Sequence, residues 1–515
     1  MSVTDESFPL ELGGAPITLE ALDRGFGSPV QVRLAAGSLD RAARGRSWVE
    51  ALTARGDAIY GINTGFGHLK NVRISADQLD RLQENLIISH AVGVGPAAPP
   101  EIVRAMLTLK IHMLLAGHSG VRPEIIERLA AWLNADVLPV VPTRGSLGAS
   151  GDLAPLAHLV LPLLGRGEMT RPTAAGRETL GGGDAQAALG LKPIRLAAKE
   201  GLALINGTQF MLAYAVNLAL RALRLADLAD LIYTLSLEGL RGSLTPADAR
   251  LHTVRPHPGA QKVAANIRRH MAGSEILESH KDCDRVQDPY SLRCAPQVHG
   301  AFRDALAHFR DVAGREINSV TDNPILFADR GMPEALSGGN FHGEPLALVL
   351  DYLAIALTDF ANISERRIYL LLAGDDKLPK LLMTDTGVNS GFMLPQYTAA
   401  ALVNECKVLA TPASIDTIPT SLGQEDHVSM GATSAVKCYE ILDRVETVFA
   451  IEMLCAAQAL DFHAPLKAGV GPRAAHAAIR RAIDHADVDR EFGRDIARSV
   501  ALLRHDAELL RIART

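Results

Sequence analysis

The sequence predicts a mostly α-helical fold of long helices, with its functional residues in the loops between them. Three observations carry that prediction. Apolar residues recur at helical spacing along most of the chain, strand-like runs are few and short, and the glycine clusters fall between the helical stretches. Those clusters are Gly61–Gly67, Gly145–Gly151, Gly181–Gly183 and Gly338-Gly339.

In chain order, Val30–Leu34 is the first strand candidate. Pro99 and Pro100 open a helix over 101–117, which Gly117-His118-Ser119-Gly120 closes. Val137–Val141 is a second short strand. A helical pattern then covers 201–240. Within it, Gly201–Leu220 carries no formal charge and is long enough to span a bilayer. Asn206, Gly207, Thr208, Gln209 and Asn217 interrupt that stretch, so it reads as a buried helix of a large protein and no membrane partner is expected. Phe302, Leu306, Phe309 and Val312 mark a helix that should stop before the Asp322-Asn323-Pro324 turn. Residues 344–370 are apolar nearly all round, as in the interior of a bundle. Helical patterns over 396–410, 428–461 and 473–511 complete the chain. This organisation reads as an N-terminal part, 1–200, followed by a bundle of long helices, 201–515, forming one cooperative unit.

Composition narrows the function. The 515 residues are 48% hydrophobic and 21% charged, which predicts a buried core and excludes disorder as the main state. The net charge is −6 and no block of five like charges occurs, so no nucleic-acid partner is expected. The five cysteines are odd in number and contain no C-x-x-C, as expected of reduced thiols in a cytoplasmic protein. The acidic start, Met1 to Pro9, lacks the basic and apolar regions of a signal peptide. Gly61, Gly65 and Gly67 look like a phosphate loop, but His68-Leu69-Lys70 follows where a Lys-Ser/Thr pair is needed. A dinucleotide fingerprint, zinc-type Cys/His spacing and a G-x-S-x-G elbow are all missing, so no metal is predicted.

Several polar residues in loops and apolar helices remain unexplained. Thr143-Arg-Gly-Ser-Leu-Gly-Ala149-Ser150-Gly151-Asp152-Leu-Ala-Pro-Leu-Ala-His158 reads on its own as a small-residue turn feeding a helix capped by Ser150 or Asp152. Tyr60-Gly-Ile-Asn-Thr-Gly-Phe-Gly67 places a phenol in a glycine-rich loop. Leu204-Ile-Asn206-Gly-Thr-Gln209 sets amides in an apolar helix, where each needs a partner. In Gln287-Asp-Pro-Tyr290-Ser-Leu-Arg293, Tyr290 and Arg293 share a face if helical. Ser337-Gly-Gly-Asn340-Phe341-His342-Gly343 offers a core aromatic. Ile88-Ser89-His90-Ala91 puts a His near a helix C-terminus. In Ser421-Leu-Gly-Gln424-Glu425-Asp426-His427, Ser421 and Gln424 fit a capping box.

Together these segments, from about Tyr60 to Met430, resemble the aromatic amino acid lyases, the family of histidine, phenylalanine and tyrosine ammonia-lyases. The resemblance implies the family's fumarase/aspartase-like helical architecture, with the 1–200 part carrying the reactive loop. In that family Ala-Ser-Gly cyclises by itself into 4-methylidene-imidazol-5-one (MIO). Ala149, Ser150 and Gly151 would thus supply an electrophile, which ordinary side chains lack, without an external cofactor. The Gly151 nitrogen would attack the Ala149 carbonyl, and loss of two waters would leave a methylidene from Ser150.

The resemblance further implies Tyr60 as the base for the β-proton, which requires its pKa, ordinarily about 10, to fall. Asn206 would lie beside MIO, and Gln287 and Tyr290 would line the pocket and support it. Arg293 would hold the substrate carboxylate with its bidentate fork, and Phe341 would form a wall. Ser89-His90 stands where phenylalanine lyases have Phe-Leu and tyrosine lyases His-Leu. Gln424-Glu425 replaces their Asn-Gln, and a carboxylate can accept an imidazole N–H that a phenyl ring does not offer. His90 and Glu425 therefore point to L-histidine, converted to urocanate and ammonia as the first step of histidine degradation, with family members being homotetramers that build each site from three subunits. Tyrosine or phenylalanine lyase, an MIO-dependent aminomutase and an inactive helical scaffold are the rival readings.

Overall fold

A computed structural model describes residues 9–23, 29–55, 58–65, 67, 74–329 and 331–515. Phe66 of the Tyr60 loop, the His68-Leu69-Lys70 tripeptide and the start Met1–Phe8 lie outside the described residues. The chain forms two compact units: 1–220 with 311–350 and 412–436, and 221–310 with 351–411 and 437–515.

In the first unit, Pro100 and Pro123 open the Pro100–Leu114 and Pro123–Asn134 helices, where a missing N–H costs nothing. The first ends before Gly117 (φ 87°). A Cβ on Gly45, in the Ser38–Arg55 helix, would fall 2.0 Å from the Gly117 carbonyl oxygen, so this crossing needs a bare backbone. Val32–Leu34 pairs in parallel with Leu10–Leu12, and Leu138–Pro139 is the edge of a three-stranded antiparallel sheet. The hairpin of that sheet, Glu168–Thr173 with Gly176–Gly181, has a polar, largely exposed face that apolar periodicity does not reveal.

The 201–240 pattern becomes two helices, Glu200–Ile205 and Gln209–Gly239. The break falls at Asn206-Gly207-Thr208, where Asn206 is extended (ψ 144°) and Gly207 has φ 116°. The predicted single helix over 473–511 is likewise corrected to three: Val470–Arg480, Phe492–His505 and Ala507–Arg514. Asp506 causes the second break by accepting the Leu509 amide hydrogen as an N-cap.

The helix foreseen before Asp322-Asn323-Pro324 is Ala295–Ile317, and the nearly all-apolar one is Glu344–Ala373. The latter is long and apolar enough to cross a membrane, with 67% of the relevant window buried. In the second unit Phe302 stacks on Phe360 with ring centroids 4.2 Å apart, and Phe449 lies tilted against Phe360 at 4.6 Å. Beside them the buried Glu452 carboxylate accepts from Ser236, Ser364 and Arg367. Asp230 similarly binds Asn266, His299 and Arg303. These charges sit among apolar helices because each is fully paired.

The Pro258–His270 and Ala295–Ile317 helices meet glycine to glycine. A Cβ on Gly300 would lie 2.4 Å from the Ala260 nitrogen. Gly300→Ala is expected to destabilise the fold by about 1–3 kcal/mol through overpacking, seen as a lower urea midpoint by circular dichroism.

Candidate active site

The site is built on the loop entering the Leu153–Val160 helix. Gly145, Gly148 and Gly151 all have positive φ. Gly151 lies against Gly207 in a parallel bridge: a Cβ on Gly151 would come within 2.2 Å of the Gly207 carbonyl oxygen. The Asp152 N–H donates to that oxygen at 2.8 Å, and the Gly207 N–H points back to the Ser150 carbonyl oxygen at 3.5 Å.

Asp152 precedes the Leu153–Val160 helix without capping it. Its carboxylate instead accepts the Phe210 and Met211 amides, at 3.1 and 3.0 Å, at the start of the neighbouring long helix. It also accepts from Ser146 Oγ, which in turn accepts the Gly148 N–H. Burial pushes its pKa up to about 7 against these hydrogen bonds and the charge of Lys110. The Ala149–Gly151 turn is thus held at both ends.

Two cavities, of ≈ 670 and ≈ 680 Å³, open beside this turn and share Tyr60, Gly67, Ser150 and Glu425 in their linings. The first adds Ala149, Asn206 and Phe341, and the second adds His90. The fold therefore gathers residues some 365 positions apart in sequence, from Tyr60 to Glu425, in its first unit.

Glu425 is aimed by a tight loop in which Thr420 and Glu425 form an antiparallel bridge around Ser421 and Leu422. Both bridged residues' intervening neighbours have positive φ, 52° and 53°, although neither is glycine, and Leu422 is 83% exposed. Ser421 starts a single 3-10 turn, so the expected capping box is absent and the next long helix begins at Gly431. Glu425 Oε2 accepts from Thr420 Oγ1 at 2.8 Å, and Oε1 accepts from Ser150 Oγ at 3.3 Å.

Asn206 is 2% exposed. Its Nδ2 donates to the Asn323 carbonyl at 3.0 Å, and its own backbone carbonyl accepts from Lys110 Nζ at 2.6 Å. Among the described residues Asn206 Oδ1 has no hydrogen-bond partner, an acceptor open to a ligand's N–H. His90 has its pKa lowered by burial, and its Nδ1 is 3.1 Å from Ser89 Oγ. For Tyr60, burial raises the pKa, the Gly67 N–H opposes it and Glu425's charge adds to it. The lowering that a Tyr60 base requires is therefore not supplied by these groups.

Gln287, Tyr290 and Arg293 belong to the second unit and line neither cavity. Tyr290–Arg293 is one short helical turn, with the guanidinium 4.5 Å from the Tyr290 ring centroid, and Tyr290 is 70% exposed. Neither cavity has an Arg or Lys among its described lining residues.

Residue type and spacing alone did not select His342, His427 or Lys110. His342 and His427 line the first cavity with their rings parallel within 7°. With Glu344 they bring one potential metal-ligand atom each within 4.8 Å of one another. The Glu344 N–H, however, points at His342 Nδ1 and engages that lone pair. The visible signal for Lys110 is a lone cation in the apolar run Leu107–Leu115.

The family model of the aromatic amino acid lyases matches residues 17–481. A histidine ammonia-lyase of Gloeobacter violaceus is 51% identical over 496 residues, 96% of this chain and 95% of that one. One from Myxococcus xanthus is 48% identical over 505 residues, 98% of each. Among solved structures, histidine ammonia-lyase from Trypanosoma cruzi superposes with a TM-score of 0.90 at 38% identity, covering 98% of this chain and 95% of that one. Tyrosine aminomutase from Streptomyces globisporus does so with a TM-score of 0.90 at 35% identity, covering 98% of each.

Removing the Asp152 carboxylate leaves two buried amides without an acceptor. Asp152→Ala is expected to cost about 1–3 kcal/mol, read as a lower denaturation midpoint with the helix content of the folded protein retained.

Proposed function

The chain belongs to the aromatic amino acid lyase family, and from that membership we infer that it is a carbon–nitrogen lyase removing ammonia from L-histidine, without oxidation, to give urocanate. This is the entry step of histidine breakdown. The observation that carries the substrate is the meeting of His90 and Glu425 around Ser150 and Tyr60. An imidazole presents ring nitrogens to such groups, which a phenyl ring cannot do.

The family works through MIO, and the residues here fit it. The Gly151 backbone lies where no Cβ is tolerated, Ala149 and Ser150 face the cavity, and Asn206 Oδ1 stands unpaired beside them. Once formed from Ala149-Ser150-Gly151, the group supplies the electrophile that protein side chains lack. Asn206 Oδ1 accepts a hydrogen of the substrate's amino group and Phe341 closes one wall. Tyr60 takes the β-proton, and since burial raises its pKa, that role belongs to alkaline solution.

The substrate carboxylate needs a cation that the two cavity linings do not provide. In our reading Arg293, with Tyr290 and Gln287, comes to the site from another copy in a homotetramer. The exposed Tyr290 and the stripe Leu348, Tyr352 and Ile355 on one long helix support self-association. A reducing, cytoplasmic setting is supported by Cys406, Cys438 and Cys455, which are buried free thiols packed as small apolar side chains.

Purified protein given L-histidine, L-tyrosine and L-phenylalanine separately is expected to release ammonia and a conjugated acid from histidine alone, followed by ultraviolet absorption. Ser150→Ala should abolish this and should not lose the two waters in its intact mass. Cinnamate or coumarate as the main product would overturn the roles of His90 and Glu425, and β-histidine without ammonia would make the protein an aminomutase. A wild-type mass not lighter by two waters would favour an inactive scaffold.

Because a base acts deprotonated, kcat/KM should climb with pH along its acid limb into the alkaline range. Tyr60→Phe should remove that limb and lower kcat by about 10²- to 10⁴-fold.

A further inference from the structure

Lys110 is a lysine with no contact to solvent, in the middle of the apolar Pro100–Leu114 helix. Its Nζ donates to two neutral acceptors, the Asn206 carbonyl oxygen at 2.6 Å and Gln209 Oε1 at 3.3 Å. No described carboxylate is in salt-bridge contact with it. Asp322, whose charge favours the protonated Lys110, is itself paired with Lys199 Nζ at 2.6 Å. Burying a cation on two carbonyls is costly, and burial pulls the Lys110 pKa down to about 7. A methionine would fill the same space without that cost, so the charge invites a functional explanation.

The geometry supplies one. The carbonyl that Lys110 binds belongs to the Asn206–Gly207 peptide. The N–H of that same peptide, on Gly207, is the group directed at the Ser150 carbonyl oxygen. A cation on one end of a peptide polarises its other end, and hydrogen bonds in series strengthen one another in a dry interior. When Ala149, Ser150 and Gly151 cyclise, the Ser150 carbonyl remains as the ring carbonyl, in conjugation with the β-carbon. A stronger donor at this oxygen makes that carbon more electrophilic, as a preorganised donor does at any site of developing negative charge.

We propose that Lys110 is a positioning residue of the lyase reaction: through the Asn206–Gly207 peptide it strengthens the Gly207 N–H as a donor to the Ser150 carbonyl oxygen and so sets how electrophilic the ring is. This rests on the reading that the ring forms. Nothing in the sequence motifs of the site includes Lys110, and it touches neither cavity.

The test compares wild type with Lys110→Met, Lys110→Gln and Lys110→Arg at pH below about 7, where Lys110 carries its proton. Intact mass reports whether each chain has lost two waters. The near-ultraviolet band of the conjugated ring, and the rate at which cyanide bleaches it, report electrophilicity without substrate. Expected for Lys110→Met is a mass still lighter by two waters, cyanide addition slowed by about 10-fold or more, and kcat lowered by a similar factor with KM for L-histidine little changed. Lys110→Gln keeps a donor at the Asn206 carbonyl and lacks the charge, so it should fold even if Lys110→Met does not, and should remain slow. Lys110→Arg should restore most of the rate. Cyanide addition at the wild-type rate in Lys110→Gln, or failure of Lys110→Arg to outpace it, would overturn the proposal. A wild-type mass unshifted by two waters would overturn the ring itself, a different failure that this measurement separates.

Discussion

One backbone contact governs the arrangement: Gly151 against Gly207, with no room for a Cβ on the Gly151 side. It ties the Ala149–Gly151 turn to the break between two apolar helices, so neither feature can be moved without the other. Gly207 ends the first helix at Ile205, and Asp152, one residue beyond the turn, satisfies the first amides of the second. A turn that would otherwise sample many conformations is thereby fixed from both sides. The entropy of that ordering is set against hydrogen bonds formed mostly out of water.

Around this contact the first unit also uses buried charge to fix position. Lys199 and Asp322 are fully buried and paired, and Asp322 also accepts the amide of Asn323, whose carbonyl holds the Asn206 side chain. Glu200, at the start of the same short helix, takes the Arg122 guanidinium at 2.8 Å and the Ala197 amide. Ion pairs of this kind contribute little net stability compared with an apolar replacement, because desolvation offsets their attraction. Their value is directional. An apolar core tolerates a slip of an ångström, whereas a buried carboxylate with three donors does not.

Much of this was legible in the sequence, for identifiable reasons. Long helices announce themselves through apolar period, so Ala295–Ile317 and Glu344–Ala373 were readable. Breaks caused by one polar residue were not: Asp506 looks the same in a helix interior as at an N-cap until its partner amide is seen. The hairpin at Glu168–Gly181 was hidden because its face is polar. Tyr60, His90, Asn206, Phe341 and Glu425, which line the two cavities, stand out in the sequence through the strings around them. The positive φ of Ser421 and Leu422, which aims Glu425, has no signal in those side chains. Lys110 gives no signal of its surroundings because its partner, the Asn206 carbonyl, lies 96 residues away.

The two halves of the chemistry are distributed differently, and this has a consequence. Ala149, Ser150, Gly151, Gly207, Asp152 and Lys110 all belong to the first unit of one chain, and the hydrogen bonds that order the turn are formed within it. Ring formation on this reading is unimolecular, requiring a folded first unit and no neighbour. Binding the substrate carboxylate is different on the proposed reading, in which the cation, Arg293, would come from another copy. Dilution that separates copies would then leave the electrophile intact while removing the clamp that orients the substrate, so activity would fall with assembly and not with maturation.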